Sequence, residues 1–263
     1  MSDAALLSKF TKLSIGGMGN SDAWRFNRLT HKWQKCELAD PANPLPDTLA
    51  SFSLVSRGQS SDFSCSFNEA YIFGGTKVPF GGNSNSNRLY WIKIDSLGKI
   101  HLKLQSVSGP LSLPKIYGQG MCRCIEKRAK GKTFEVLYII GGTDGHEYTM
   151  DVYRLQRDIA APHNESWELM QLSCGVISTE VNCANAFSAI WRFNLQNFEW
   201  RKIEEHNRLP VPVYFHASTL TPDGCIFVFG GVEKQNTEER HERRVNDYNE
   251  CGLNHLLLVI LRQ

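Results

Sequence analysis

The sequence predicts an all-β fold built from repeated units, on two repeats and one compositional fact. A short aromatic and β-branched run ends in paired glycines at Tyr71-Ile72-Phe73-Gly74-Gly75, Tyr138-Ile139-Ile140-Gly141-Gly142 and Phe227-Val228-Phe229-Gly230-Gly231, with a weaker copy at Ser14-Ile15-Gly16-Gly17. Such a run is a strand that stops in a tight bend, because glycine alone enters positive φ without strain. An aromatic segment also recurs. Ala23-Trp24-Arg25-Phe26-Asn27 leads to Trp33, and Ile190-Trp191-Arg192-Phe193-Asn194 leads to Trp200, with the tryptophans nine residues apart in both. Looser copies run from Asp151 to Trp167 and from Arg88 to Leu102 and Leu104. Composition is that of an ordinary globular chain, 41% hydrophobic and 21% charged over 263 residues.

Several function classes lose support at once. A net charge of +2 gives no global electrostatic case for nucleic acid. Residues 1–20 lack the apolar core of a secretory signal, and the longest apolar run, Leu256 to Leu261, is too short for a membrane span. The eight cysteines form no CxxC pair or Cys/His ladder, so reduced thiols in the core are expected, with no metal and no cofactor. Cytoplasmic or nuclear residence follows as an expectation.

Glycine pairs and spaced aromatics together resemble the kelch-repeat family over most of the chain. The resemblance implies four-stranded blades of about 50 residues arranged radially as a β-propeller. In that pattern Gly74, Gly75, Gly141, Gly142, Gly230 and Gly231 end second strands, and Trp24, Trp33, Trp191 and Trp200 are structural residues packed between blades. The implied architecture is one irregular kelch propeller over residues 1–263, with about five to six blades and one or more incomplete.

The glycine pairs begin at residues 16, 74, 141 and 230, so their spacings of 58, 67 and 89 all exceed that period. The first blade, 13–38, is expected to be truncated, with strands at Ala23–Asn27 and Lys32–Glu37 only. The second, about 52–105, carries a Gly/Asn/Ser-rich insert from Thr76 to Asn87. The third, about 117–172, has a basic insert at Lys127–Lys132, which is expected to be a solvated tip. The fourth, 173–204, is damaged, because the stretch before Trp191 is too short for two strands and a loop. The last, 209–263, shows strands at Tyr214–Leu220 and Cys225–Phe229, then a charged run, Glu233 to Asp247.

Within the kelch family, Leu209–Gly231 and Ile190–Lys202 resemble the substrate receptors of Cullin-2 RING ubiquitin ligases. That resemblance implies a propeller gripping a client's extreme C-terminus, often one ending in glycine, and a helical segment binding Elongin B/C and Cullin-2. Leu253–Gln263 does not spell the adaptor box, a leucine followed four residues later by cysteine. Client binding is therefore the function expected of these residues.

A peptide carboxylate needs a cation and hydroxyl or amide donors. Residues leading into first strands, and those after Gly-Gly, are expected to share one mouth of the propeller. They are Arg57, Gln59 and Ser60; Tyr117 and Gln119; Tyr214 and His216; and Lys77, His146 and Tyr148. Arg57 is the expected clamp, Ser60 and Gln119 the donors, and Tyr117 or Tyr214 a wall. Such side chains also commonly hydrogen-bond only to neighbouring blades. Two other classes stand beside the receptor: a general scaffold without a carboxylate pocket, and a copper-radical oxidase of the same family. The oxidase needs paired histidines, two tyrosines and a cysteine on one metal, and only Tyr214 with His216 approaches that set.

Overall fold

The glycine pairs at 74–75 and 141–142 make the bend their sequence demands. Gly74 and Gly75 have φ of 68° and 89°, and Gly141 and Gly142 have 65° and 103°. A Cβ on Gly74 would lie 2.6 Å from the Ile116 carbonyl oxygen, so no other residue fits there. The computed structural model describes residues 10–17, 20–27, 29–57, 69–78, 84–95, 97–160, 166–173, 176–178, 190–203, 213–214, 217–220, 226–229 and 232–233. The chain divides into two compact units, Met1–Val181 and Asn182–Gln263. Its architecture is all-β, in mixed sheets consistent with an irregular, partly formed kelch propeller.

The first unit holds three blades. In the first, β1 (Phe10–Gly17), β2 (Asn20–Asn27) and β3 (Lys32–Lys35) form an antiparallel meander. Only the end of β1, Ser14–Gly17, was legible in the sequence, as the weaker copy of the glycine-ended run; the strand begins earlier, at Phe10. Register shifts between Phe10 and Lys12 and between Ile15 and Gly17 break the period-2 alternation that would have announced it. A short β4 (Glu37–Leu38) follows. The second blade is β5 (Ser53–Ser56), β6 (Glu69–Phe73), β7 (Leu89–Ile94) and β8 (Lys99–Leu104), followed by β9 (Val107–Ser108). The third is β10 (Gly120–Lys127), β11 (Thr133–Thr143), β12 (Tyr148–Asp158) and β13 (Trp167–Ser173), followed by β14 (Val176–Ser178).

One device repeats at successive blades. The chain leaving each outer strand lies parallel to the outer strand of the next blade. Glu37 and Leu38 in β4 pair Lys99 and Ile100 in β8, and Val107 and Ser108 in β9 pair Trp167 and Glu168 in β13. The third handover differs, because β14 turns back onto β12, pairing Ser178 with Tyr148. A second device closes the Gly-Gly end. Ala50 bridges Thr76, and Tyr117 bridges Thr143, 67 residues later in both partners, matching the spacing of the glycine pairs. Thr76 and Thr143 each follow a Gly-Gly and are buried. Only the two best-formed blades carry this Gly-Gly-Thr.

Alternation sorts the second blade into two apolar faces. Ala70, Ile72, Tyr90, Ile92 and Ile100 pack with Ala23, Cys36, Leu45 and Leu49. Tyr71, Phe73 and Leu89 pack with Leu137, Ile139, Tyr153, Leu155, Trp167 and Leu169. Burying a Leu or Ile side chain contributes about 1.5–3 kcal/mol, so these two blade junctions hold the unit together.

The second unit contains the hairpin β15 (Trp191–Phe193) and β16 (Trp200–Lys202), with β17 (Val213–Tyr214) paired to β20 (Val232–Glu233) and β18 (Ala217–Leu220) to β19 (Ile226–Phe229). Its aromatic hairpin repeats that of the first unit closely. Phe26 and Trp33 have ring centroids 5.2 Å apart at 50°, and Phe193 and Trp200 are 5.0 Å apart at 50°. His31 and Phe198 sit at equivalent positions with φ of 53° and 58°. Gly230, Gly231 and the run 234–263 lie outside the described residues.

Candidate functional site

The residues expected to share one mouth lie at opposite strand ends. Ser53, at the start of β5, pairs Phe73, beside Gly74 and Gly75; Ser56, at its end, pairs Ala70. Arg57 follows Ser56 and so sits about 10 Å or more from the Gly-Gly end, at 3.3 Å per residue. It leaves the first strand rather than leading into it. Tyr117, Gln119, His146 and Tyr148 lie at the Gly-Gly end. Gln59, Ser60 and His216 lie outside the described residues, and Tyr214 stands in β17 of the second unit.

The Gly-Gly end is occupied with holding blades together. The Gln119 side chain is 7% exposed, and its Nε2 donates to the Phe73 carbonyl at 2.8 Å. The Ser53 hydroxyl donates to the Gln119 carbonyl, and the Gly118 amide donates to the Ser51 carbonyl at 2.8 Å. Tyr117 is buried. His146 is exposed on a turn whose amide donates to Asp144 Oδ1 at 2.7 Å. Lys77 pairs with Asp47 at 3.0 Å.

Among the expected structural tryptophans, Trp24, Trp33 and Trp191 are 38%, 49% and 48% exposed, and Trp200 is half-buried. Trp33 and Trp200 pack on Phe26 and Phe193 of their own hairpins. The tryptophan that fills a blade junction is Trp167, at 0%.

The chemistry gathers at the other end of the same junction, around Glu135. This glutamate is 1% exposed, on the β11 face that also carries Leu137 and Ile139. Arg123 Nε donates to its Oε1 at 2.6 Å and Arg57 Nε at 3.3 Å. Arg157, its cross-strand partner on β12, donates Nε to Oε2 at 2.8 Å and Nη2 at 2.5 Å. The Tyr71 hydroxyl donates to Oε2 at 3.1 Å and accepts from Arg157 Nη2 at 2.6 Å. The Arg157 guanidinium lies 4.8 Å from the Trp167 ring, and Tyr71 meets Trp167 edge-on at 5.3 Å.

Burying a carboxylate costs several kcal/mol unless it is paired. Burial pushes the Glu135 carboxyl up, but the Arg123 hydrogen bond and the Arg157 charge outweigh it and hold Glu135 below the usual range. Burial, with the Glu135 charge beside it, raises the Tyr71 hydroxyl well above its ordinary value, so Tyr71 stays a neutral donor.

A cavity of about 220 Å³ opens beside this cluster, lined by Arg57, Trp91, Lys103, Gln105 and Arg157. Arg57 Nη1 donates to Glu69 Oε2 at 2.8 Å, and Trp91 Nε1 donates to the same oxygen at 3.2 Å. Among the described residues no hydrogen bond is made by Arg57 Nη2 or Arg157 Nη1. Four cations, Arg57, Arg123, Arg157 and Lys93, pair with the two carboxylates Glu69 and Glu135. The cavity can therefore take an anion of modest size. Sequence reasoning found Arg57 and missed Glu135, Arg123 and Arg157. The available signal was a charge on a core face, because Glu135 alternates with Leu137 and Ile139, and Arg157 with Tyr153 and Leu155. Among the described residues no cluster of three or more His, Cys, Asp or Glu is placed to hold a metal ion.

No family model matches the chain. It is 25% identical over 302 residues to kelch domain-containing protein 10 of Xenopus laevis, covering 82% of this chain and 65% of the frog protein. The Homo sapiens protein of that name is 25% identical over 295 residues, covering 82% of this chain and 60% of the human protein. The Drosophila melanogaster homolog is 25% identical over 307 residues, covering 83% of this chain and 47% of the fly protein. The chain thus spans less than two thirds of the length of these relatives.

Proposed function

We propose, from a homology that supports a kelch-repeat assignment for this chain, that it recognises client proteins by their C-terminal carboxylate in the Arg57–Arg157 cavity. The homology is consistent with a protein-interaction module. The finer reading, a client receptor of a Cullin-2 RING ubiquitin ligase that takes glycine-ending tails and works with Elongin B/C, is our own. It rests on the sequence resemblance and on one observation. Two arginines from neighbouring blades, Arg57 and Arg157, line one cavity.

The chemistry suits a terminal carboxylate. Guanidinium forks bind carboxylates through parallel charge-assisted hydrogen bonds. Glu135 and Glu69 hold both arginines in place before the client arrives, which lowers the ordering cost of binding. A scaffold reading also has an observation in its favour. Arg57 already bonds two carboxylates and could serve the junction alone.

Fluorescence polarisation of a labelled glycine-ending peptide separates the two. The receptor reading expects binding of the free acid, at least about tenfold weaker binding of the amide, and a similar loss in Arg57→Ala with the unfolding transition retained. Equal binding of acid and amide, or an Arg57→Ala protein that binds as well as the parent, would overturn it.

A further inference from the structure

We propose that the Arg57–Arg157 cavity also binds a free, doubly charged oxyanion of the phosphate type, which competes there with the client terminus. The competition rests on the carboxylate reading above; the binding of the anion does not. Charge carries the inference. In the ion pairs of this junction Arg57, Arg123, Arg157 and Lys93 share Glu69 and Glu135, so four positive charges meet two negative ones and two remain. A terminal carboxylate cancels one of the two. A dianion cancels both. The excess is not spread on the open surface. The Glu135 side chain is 1% exposed, and those of Arg123 and Arg157 are 12% and 17% exposed, so salt and water screen them weakly. Arg57, at 35%, is the arginine that solvent reaches most.

The donors and the space suit that ligand. A guanidinium carries five N–H groups in a planar fork that matches phosphate as well as carboxylate, and it is more weakly hydrated than an ammonium. Glu69 and Glu135 take two hydrogen bonds from Arg57, and Glu135 and Tyr71 take three from Arg157. Both arginines line the cavity, from neighbouring blades, so one anion can reach both. The cavity volume of about 220 Å³ is many times the roughly 10–15 Å³ that one water needs, which leaves room for four oxygens around a central atom. Among the described residues, those that line it include no carboxylate to repel an anion. A phosphate monoester carries about −1.5 to −2 charge near neutral pH, close to the excess that the cluster leaves.

The test uses the full chain and a labelled glycine-ending peptide, read by fluorescence polarisation. Inorganic phosphate, methyl phosphate, sulfate and acetate are titrated at one fixed ionic strength, so that screening is common to all. The proposal expects the two phosphates and sulfate to displace the peptide at concentrations about tenfold lower than acetate. Methyl phosphate gains its second charge with a pKa of about 6, so its affinity is expected to rise about threefold from about pH 5.5 to about pH 7.5, while that of sulfate stays level. Thermal unfolding with the same anions reads the site without the peptide. There a saturable rise with methyl phosphate is expected, and a smaller one in Arg57→Gln. That result with no peptide binding would support the anion site and sink the carboxylate reading. Phosphates that act no better than acetate, a methyl phosphate affinity that ignores pH, or an Arg57→Gln protein that responds like the parent would each overturn the proposal and leave the carboxylate reading to its own test. Displacement by both phosphates assigns small monoesters as well as the free ion, and displacement by inorganic phosphate alone assigns the free ion.

Discussion

The two faces of the second blade make two junctions of opposite character. The junction with the first blade is built on an apolar cluster, Ala23, Cys36, Leu45, Leu49, Ile72, Ile92 and Ile100. The junction with the third blade has an apolar part of similar kind and then a buried carboxylate held by three arginines and a tyrosine. The same four-stranded unit, with the same linker strand on its outer edge, supplies both. Apolar packing and the β4–β8 strand pairing join the first two blades without a buried ion cluster among the described residues. The charges at the second are an addition, and they stand where a cavity opens. Buried charge is weak evidence for stability. At this junction the paired arginines Arg57 and Arg157 also line the cavity.

The largest expected effect breaks the polar junction and spares the apolar one. Glu135→Ala removes the carboxylate from Arg123 and Arg157, leaving Arg57 only Glu69, and is expected to cost about 3–5 kcal/mol in urea unfolding. Ile92→Val, in the apolar junction, is expected to cost about 0.5–1.5 kcal/mol. Equal costs would remove the distinction.

Glycines sharpen it next. Gly74→Ala places a methyl 2.6 Å from the rigid Ile116 carbonyl at φ 68°, in the Glu135 junction. Gly98→Ala, at φ 82°, meets the flexible end of Arg25, beside the apolar junction. Each pays the left-handed penalty of about 1–2 kcal/mol, and Gly74→Ala is expected to lose more because a backbone oxygen cannot move aside. Melting temperatures of the two variants test that order.

Acid titration is the gentler probe. The Glu135 carboxyl is lowered in the fold, so its stabilisation is present above the ordinary glutamate value, about 4.3, and is lost as pH falls through the lower folded value. The Glu126 carboxyl, which accepts from Arg154 Nη2 at 2.7 Å, behaves the same way. The urea midpoint is expected to fall between about pH 5 and pH 3, and to fall less steeply in Glu135→Gln. An unchanged slope would mean that the cluster contributes nothing to the pH response.

The apolar junction was more legible in the sequence than the polar one. Runs such as Tyr71-Ile72-Phe73 and Leu89-Tyr90-Trp91-Ile92 announce strands buried on both faces, and Gly74-Gly75 announces where one of them bends. The site was half legible. Arg57 stood out as a cation beside a strand, but its end of that strand was misplaced, because residues 58–68 separate β5 from β6 and sequence does not show where β5 stops. The partners Glu135 and Arg157 lie 78 and 100 residues from Arg57 along the chain. Only the third dimension brings them together. The exposed tryptophans show the converse. The repeat of Trp24 with Trp33 and of Trp191 with Trp200 marks a hairpin faithfully, while the junction is filled by Trp167, from a looser copy of the same pattern.

The central claim is that the charged junction, and not the apolar one, takes the client terminus. The indole N–H of Trp91 donates to Glu69 beside Arg57, whereas Trp24 belongs to the first blade. Two-dimensional NMR of the indole N–H signals, with a glycine-ending peptide added as free acid and then as amide, reads both places at once. The account predicts a saturable shift of the Trp91 signal with the free acid, little with the amide, and a still Trp24 signal. A Trp91 signal that stays put while the acid binds, or that moves equally with the amide, would contradict it.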